Sequence, residues 1–154
     1  MLWLGFGVYV AFPTVRSRCP LRLSRNLFYG APAMRDLAIL VRDLKLDDAL
    51  QWLAQRVGPA MSVGDPEPPC LFFDVGPHRL VVTAGIEDGP FSELWFSTGR
   101  PWPNAAAFAH EAAGVLGSQV LYELPGALPC DWRSVSPDGA EADVIWDSGP
   151  VPAP

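Results

Sequence analysis

The sequence predicts an α+β fold: a mostly antiparallel sheet of about six strands with two helices on one face, in the order βαββ-βαββ. Three observations lead there. Short apolar or alternating runs are bounded by Gly, Pro and Asp. Two longer segments carry apolar residues at helical spacing. Each helical segment lies between strand-like runs, and the strands outnumber the helices.

Leu37 to Val41 is a wholly apolar run suited to a buried strand. Asp43 to Lys45 forms the turn after it. Leu46, Ala49, Leu50, Leu53 and Val57 then recur at helical spacing. Asp47 and Asp48 lie in the first turn of this helix and Arg56 in the last, as the helix dipole favours, and Gly58-Pro59 ends it. Residues 59–69 contain four prolines and read as a loop. Cys70 to Val75 and Arg79 to Ala84 read as the strands of a hairpin around Gly76-Pro77-His78.

Glu93 to Thr98 reads as the next strand, with Leu94 and Phe96 facing one way and Trp95 the other. Asn104 is the expected N-cap of the second helix. Ala105, Phe108, Ala109, Ala112, Val115 and Leu116 form its apolar stripe, and Gly117 stops it. Val120 to Leu124 is a further strand, Pro125 to Ala142 a long loop, and Asp143 to Asp147 the last strand. The two βαββ halves invite comparison as an internal repeat, and chance recurrence in small α+β domains explains them equally well.

Composition divides the chain. Residues 1–33 carry Arg16, Arg18, Arg22 and Arg25 and no acid, whereas from Met34 onward seven basic residues face seventeen acidic ones, a net of −10. The apolar run Met1 to Phe12 is shorter than the ~20 residues that cross a bilayer. Positive charge follows it instead of preceding it, unlike a secretory signal. The segment reads either as an organelle transit peptide or as sequence upstream of a start at Met34. Met34-Arg35-Asp36 leads directly into the first strand, which favours the second reading. Residues 1–33 are therefore expected outside the fold, 34–148 as a single domain and 149–154 as a disordered tail.

The net charge of −6 over 154 residues argues against nucleic acid, whose phosphates an acidic surface repels, and no segment argues for a membrane. Cys19, Cys70 and Cys130 form no C-x-x-C pair or zinc spacing. So sparse a set fits a reducing, cytoplasmic setting with inert thiols.

Chemistry finds little support. His78 falls in the hairpin turn, and His110 on the polar side of the second helix beside Glu111, where adjacent side chains diverge. Both are expected to be solvated. The acid pairs Asp47/Asp48 and Glu87/Asp88 lie in turns or a first helical turn. No catalytic residue, metal ligand or cofactor-binding residue is assigned, and no cofactor is expected.

The hairpin Phe72-Phe73-Asp74-Val75-Gly76-Pro77-His78-Arg79-Leu80-Val81-Val82, with the strand and helix before it, resembles the vicinal-oxygen-chelate module of glyoxalase-like proteins. The resemblance spans residues 37 to about 123 and implies inward-facing metal ligands. Leu37 to Val41 offers none and the fourth strand offers only Glu93, so the metal site it implies is degenerate.

Binding is better supported. Of six tryptophans, Trp52 lies off the stripe of the first helix and Trp95 opposite Leu94 and Phe96. Acids, among them Asp47, Asp48, Glu93, Asp138, Glu141 and Asp143, surround them in sequence. Exposed tryptophans anchor interfaces and acids steer a basic partner. Trp52, Trp95 and Glu93 are the expected partner-binding residues, on a monomer or homodimer. Size, charge, element order and Trp95-Phe96 in a strand are similar to bacterial toxin-immunity proteins. That resemblance implies a non-enzymatic domain that blocks a partner toxin.

Overall fold

The computed structural model describes residues 10–11, 36–66, 68–86, 89–97, 101–124 and 131–147. The remaining residues of 1–33, the expected tail at 149–154, Cys19, Cys130 and the pair Glu87/Asp88 lie outside the described residues. In chain order the elements are β1 (Val10–Ala11), β2 (Leu37–Arg42), α1 (Leu46–Arg56), β3 (Ala60–Ser62), β4 (Cys70–Val75) and β5 (His78–Thr83). They continue with β6 (Phe91–Phe96), α2 (Ala105–Leu116), β7 (Val120–Glu123), β8 (Asp131–Val135) and β9 (Glu141–Asp147). Strands β2 to β9 form one antiparallel sheet ordered β9-β8-β7-β2-β6-β5-β4-β3, and β1 lies parallel to the end of β9, with Val10 opposite Trp146.

The α+β class, the antiparallel sheet and both helices agree with the sequence. The strand count and order do not: eight antiparallel strands replace about six, and the order from β2 is βαββββαβββ, not βαββ-βαββ. Two strands account for the difference. β3 lies in the proline-rich stretch expected as a loop, and its residues are mostly exposed. It is a strand because Ala60 to Ser62 pair with Val75 to Phe73 of β4, not because its side chains alternate. β8 mixes Asp131, Arg133 and Ser134 with Trp132 and Val135, yet it is hydrogen-bonded on both sides, to β7 and β9. Neighbouring backbone specifies these strands more than their own hydrophobic pattern does.

One sheet face carries both helices. Ile39 and Val41 of β2, Leu94 and Phe96 of β6, Leu80 and Val82 of β5, and Val120 of β7 pack there against α1 and α2. Helix α2 follows its sequence closely. The Asn104 side chain accepts from Ala107 N at 2.8 Å, and Gly117 ends the helix in the left-handed region at φ 62°. Its buried residues are Phe108 and the small Ala109, Ala112 and Ala113, which let the helix lie close over β2 and β7. The opposite face has its own apolar cluster of Leu40, Phe91, Leu121 and Val144, with Ile86 and Trp132 packed against it.

Beyond α1 the chain reverses tightly. Gly58 adopts φ 151°, and a Cβ built there would lie 3.2 Å from the Gly76 Cα, so the α1 exit and the β4–β5 turn approach at glycine distance. Cys70 departs from expectation. It is disulfide-bonded, not a free buried thiol, and its partner cysteine lies outside the described residues. Disulfides join residues that the fold brings near, which sequence spacing does not encode.

Candidate functional site

The three expected partner-binding residues do not form one surface. Trp52 is buried at 5% exposure on the helix-covered side. Its ring lies 5.5 Å from Trp102 and 5.7 Å from Phe108, and its indole N–H donates to Glu111 Oε1 at 3.1 Å. The expectation that it points outward is corrected by the second contact of α1. Ala49 and Leu53 turn into the core, while Trp52 meets α2 from the side. A single apolar stripe cannot register two contact surfaces. Trp95 is half-buried on the other sheet face, as strand alternation predicts, with Glu93 beside it on that face. The sheet therefore separates Trp52 from Trp95.

Glu111 organises the aromatic cluster. Its carboxylate accepts from Trp52 Nε1, from Trp102 Nε1 at 2.7 Å and from Arg56 Nε at 3.1 Å. It ties α1, α2 and the segment leading into α2 together. The adjacent His110 points elsewhere, in keeping with the divergence of neighbouring helix residues.

His110 is not merely solvated. It joins a polar network where β7, β8 and β9 emerge from beneath α2. His110 Nε2 lies 2.7 Å from Glu141 Oε1, and Tyr122 donates its hydroxyl to the same oxygen at 3.1 Å. Arg133 donates to Glu141 Oε2 at 3.4 Å and, through Nε and Nη2, to Asp143 Oδ1 at 3.1 and 3.0 Å. The hydrogen bond with His110 is the main cause that lowers the Glu141 pKa. Burial, followed by the bond to Glu141, raises the Tyr122 pKa. The bond to Asp143 raises that of Arg133.

An imidazole held by a carboxylate is the layout of an oriented base. Here the same carboxylate also receives Tyr122 and Arg133, so the network is closed on itself and acts as a fastener between α2 and the β8–β9 hairpin. Among the described residues, no group of three or more His, Cys, Asp or Glu side chains is placed to hold a metal ion. The hairpin around Gly76 forms as β4–β5, and the helix-facing positions of β2 are Leu37, Ile39 and Val41, which offer no ligand.

Charge gathers at one end of the sheet. Val41 pairs with Val120, Val120 with Val135, and Val135 with Glu141, so the turns after β2 and after β8 leave the sheet at the same end. The exposed Asp43, Asp47 and Asp48 follow β2, and the exposed Asp138 and Glu141 follow β8. Four arginines are already matched within the fold: Arg42 with Asp43, Arg56 with Glu111, Arg79 with Asp74, and Arg133 with Asp143.

No family model, curated protein or solved structure matches this chain. Sequence reasoning missed the Glu111 and Glu141 networks because their members are far apart in the chain. Glu111 is separated from Trp52 by 59 residues, and Glu141 from His110 by 31. The one available signal was two carboxylates on or beside amphipathic elements, a pattern that solvated acids share. No helix among the described residues is long and apolar enough to cross a membrane.

Proposed function

We propose that this chain is a non-enzymatic protein-binding domain that takes a basic protein partner at the acidic end of its sheet, in the manner of an immunity or inhibitor protein. One observation carries the reading. Arg42, Arg56, Arg79 and Arg133 are each paired with an acid, which leaves Asp47, Asp48 and Asp138 to outweigh Lys45 at that end. A field of one sign steers an oppositely charged partner and raises its association rate. Trp52 drops out as an anchor because it is core. Trp95 and Glu93 keep their acidic-aromatic pairing on the second sheet face.

The test is a charge reversal. Asp47→Lys, Asp48→Lys and Asp138→Lys are combined in the full chain, and association with a partner identified by cross-linking is followed by surface plasmon resonance. The association rate of the unaltered protein should fall about tenfold or more between about 20 and about 200 mM salt. The triple variant should melt within a few degrees of the parent and associate at least about tenfold more slowly at low salt. An association rate indifferent to both salt and charge reversal overturns the proposal.

A further inference from the structure

We infer that the chain associates with a second copy of itself through the free edge of its sheet, with β3 pairing antiparallel to β3 of the second copy about a two-fold axis at Met61. The two edges of the sheet differ. β9 is paired with β1, whereas among the described residues no strand pairs with the outer side of β3.

The direction of the β3 backbone groups follows from its bonds to β4. Pro59 O accepts from Gly76 N at 3.3 Å, and Val63 N donates to Phe72 O at 2.9 Å. Between them the register runs Ala60 with Val75, Met61 with Asp74 and Ser62 with Phe73. In an antiparallel pair, residues bonded to the neighbouring strand alternate with residues whose N–H and C=O turn away from it. Pro59, Met61 and Val63 therefore address β4, while Ala60 and Ser62 present their N–H and C=O groups at the free edge.

That edge is complementary to itself. Two copies of β3 laid antiparallel about Met61 place Ala60 of each opposite Ser62 of the other, and such a pair exchanges both of its N–H···O bonds. Met61 then meets Met61 of the second copy at a site without hydrogen bonds, where facing Cα atoms lie only ~4.5 Å apart. Met61 is 68% exposed, a large apolar side chain with no cover in the single chain. An unbranched thioether adapts to an identical neighbour, and methionine is enriched where protein surfaces meet.

Charge selects this edge for a second copy. The chain carries a net charge of −6, so two copies repel one another over much of their surface. Residues 57–64 hold no charged side chain, although a strand edge kept single is commonly guarded by one. Opposite Met61, the carboxylate of Asp74 is neutralised by Arg79 at 2.8 Å. The edge is thus a neutral, apolar-centred strip on an acidic protein. It is short, which places the dimer among small, transient interfaces whose population depends on concentration. The inference is independent of partner binding at the acidic end.

The test is sedimentation velocity of the full chain, without reductant, between about 5 and about 500 µM. The weight-average mass should rise from 16.7 kDa towards twice that value. Met61→Lys sets like charges against each other across the axis, and Ser62→Pro removes an outward N–H while leaving the β3–β4 bonds in place. Each variant should melt within a few degrees of the parent and associate at least about tenfold more weakly. If Ser62→Pro does not fold, Met61→Lys decides alone. A parent that stays at 16.7 kDa over the whole range overturns the inference. A folded variant that associates as tightly as the parent also overturns it, because the copies then meet elsewhere.

Discussion

Replacing Glu111 by alanine should cost about 3 kcal/mol, a large effect for a carboxylate that is partly open to solvent. Its two oxygens accept from two indoles and a guanidinium, and the three donors differ in what they lose. Trp102 is 2% exposed, so its N–H would be left buried without its acceptor, a loss of about 1–3 kcal/mol. Trp52 is 5% exposed, and its charge-assisted bond adds a comparable but smaller amount. Arg56 is about half exposed and contributes less than about 1 kcal/mol, as surface ion pairs do. Together these lower the melting temperature by about 10 °C. The assay is urea unfolding of Glu111→Ala, Arg56→Ala and Trp102→Phe, with the Glu111→Ala/Trp102→Phe double variant to isolate the indole bond. If Glu111→Ala loses no more than Arg56→Ala, the carboxylate is an ordinary surface ion-pair partner and the reasoning fails. Additive single and double effects would likewise refute coupling through the Trp102 N–H.

Phe108→Ala should cost about 3–5 kcal/mol, because the ring is fully buried, lies 4.4 Å from Trp102 and leaves a cavity in the core when removed; a denaturant midpoint close to that of the parent would contradict the α2 packing. Glu141→Gln should destabilise in a pH-dependent way. The folded protein holds this carboxyl below its ordinary value of 4.5, so its contribution is present above that pH and lost as pH falls through the lower folded value. The gap between parent and variant in denaturant midpoint should therefore be full at about pH 5.5 and shrink towards about pH 3, and a gap that widens on acidification would reverse the assignment.

Helix α2 shows what local sequence can specify by itself. Asn104 caps it, Phe108, Ala109 and Ala112 form the stripe that is in fact buried, and Gly117 takes the left-handed conformation that ends it. Trp95 was equally legible, since strand alternation needs only the direction of its neighbours Leu94 and Phe96. In these cases one element faces one layer, so one period describes its burial.

The failures occur where an element faces two layers or borrows its form from a neighbour. Helix α1 rests on the sheet through Ala49 and Leu53 and against α2 through Trp52, so the residue farthest from the stripe is as much core as the stripe itself. The same geometry converts Glu111 from a surface acid into an acceptor for two indoles, because α1 and the approach to α2 deliver Trp52 and Trp102 to one carboxylate. β8 reads as loop for a related reason: Arg133 and Ser134 break its apolar pattern, yet Arg133 is retained by Glu141 and Asp143 across the β8–β9 hairpin. Partly buried polar residues in a sheet are stable only when such partners exist. Glu111 meets this condition through two indoles and Arg56, and Glu141 through His110, Tyr122 and Arg133, so each carboxylate holds together elements that are far apart in the chain.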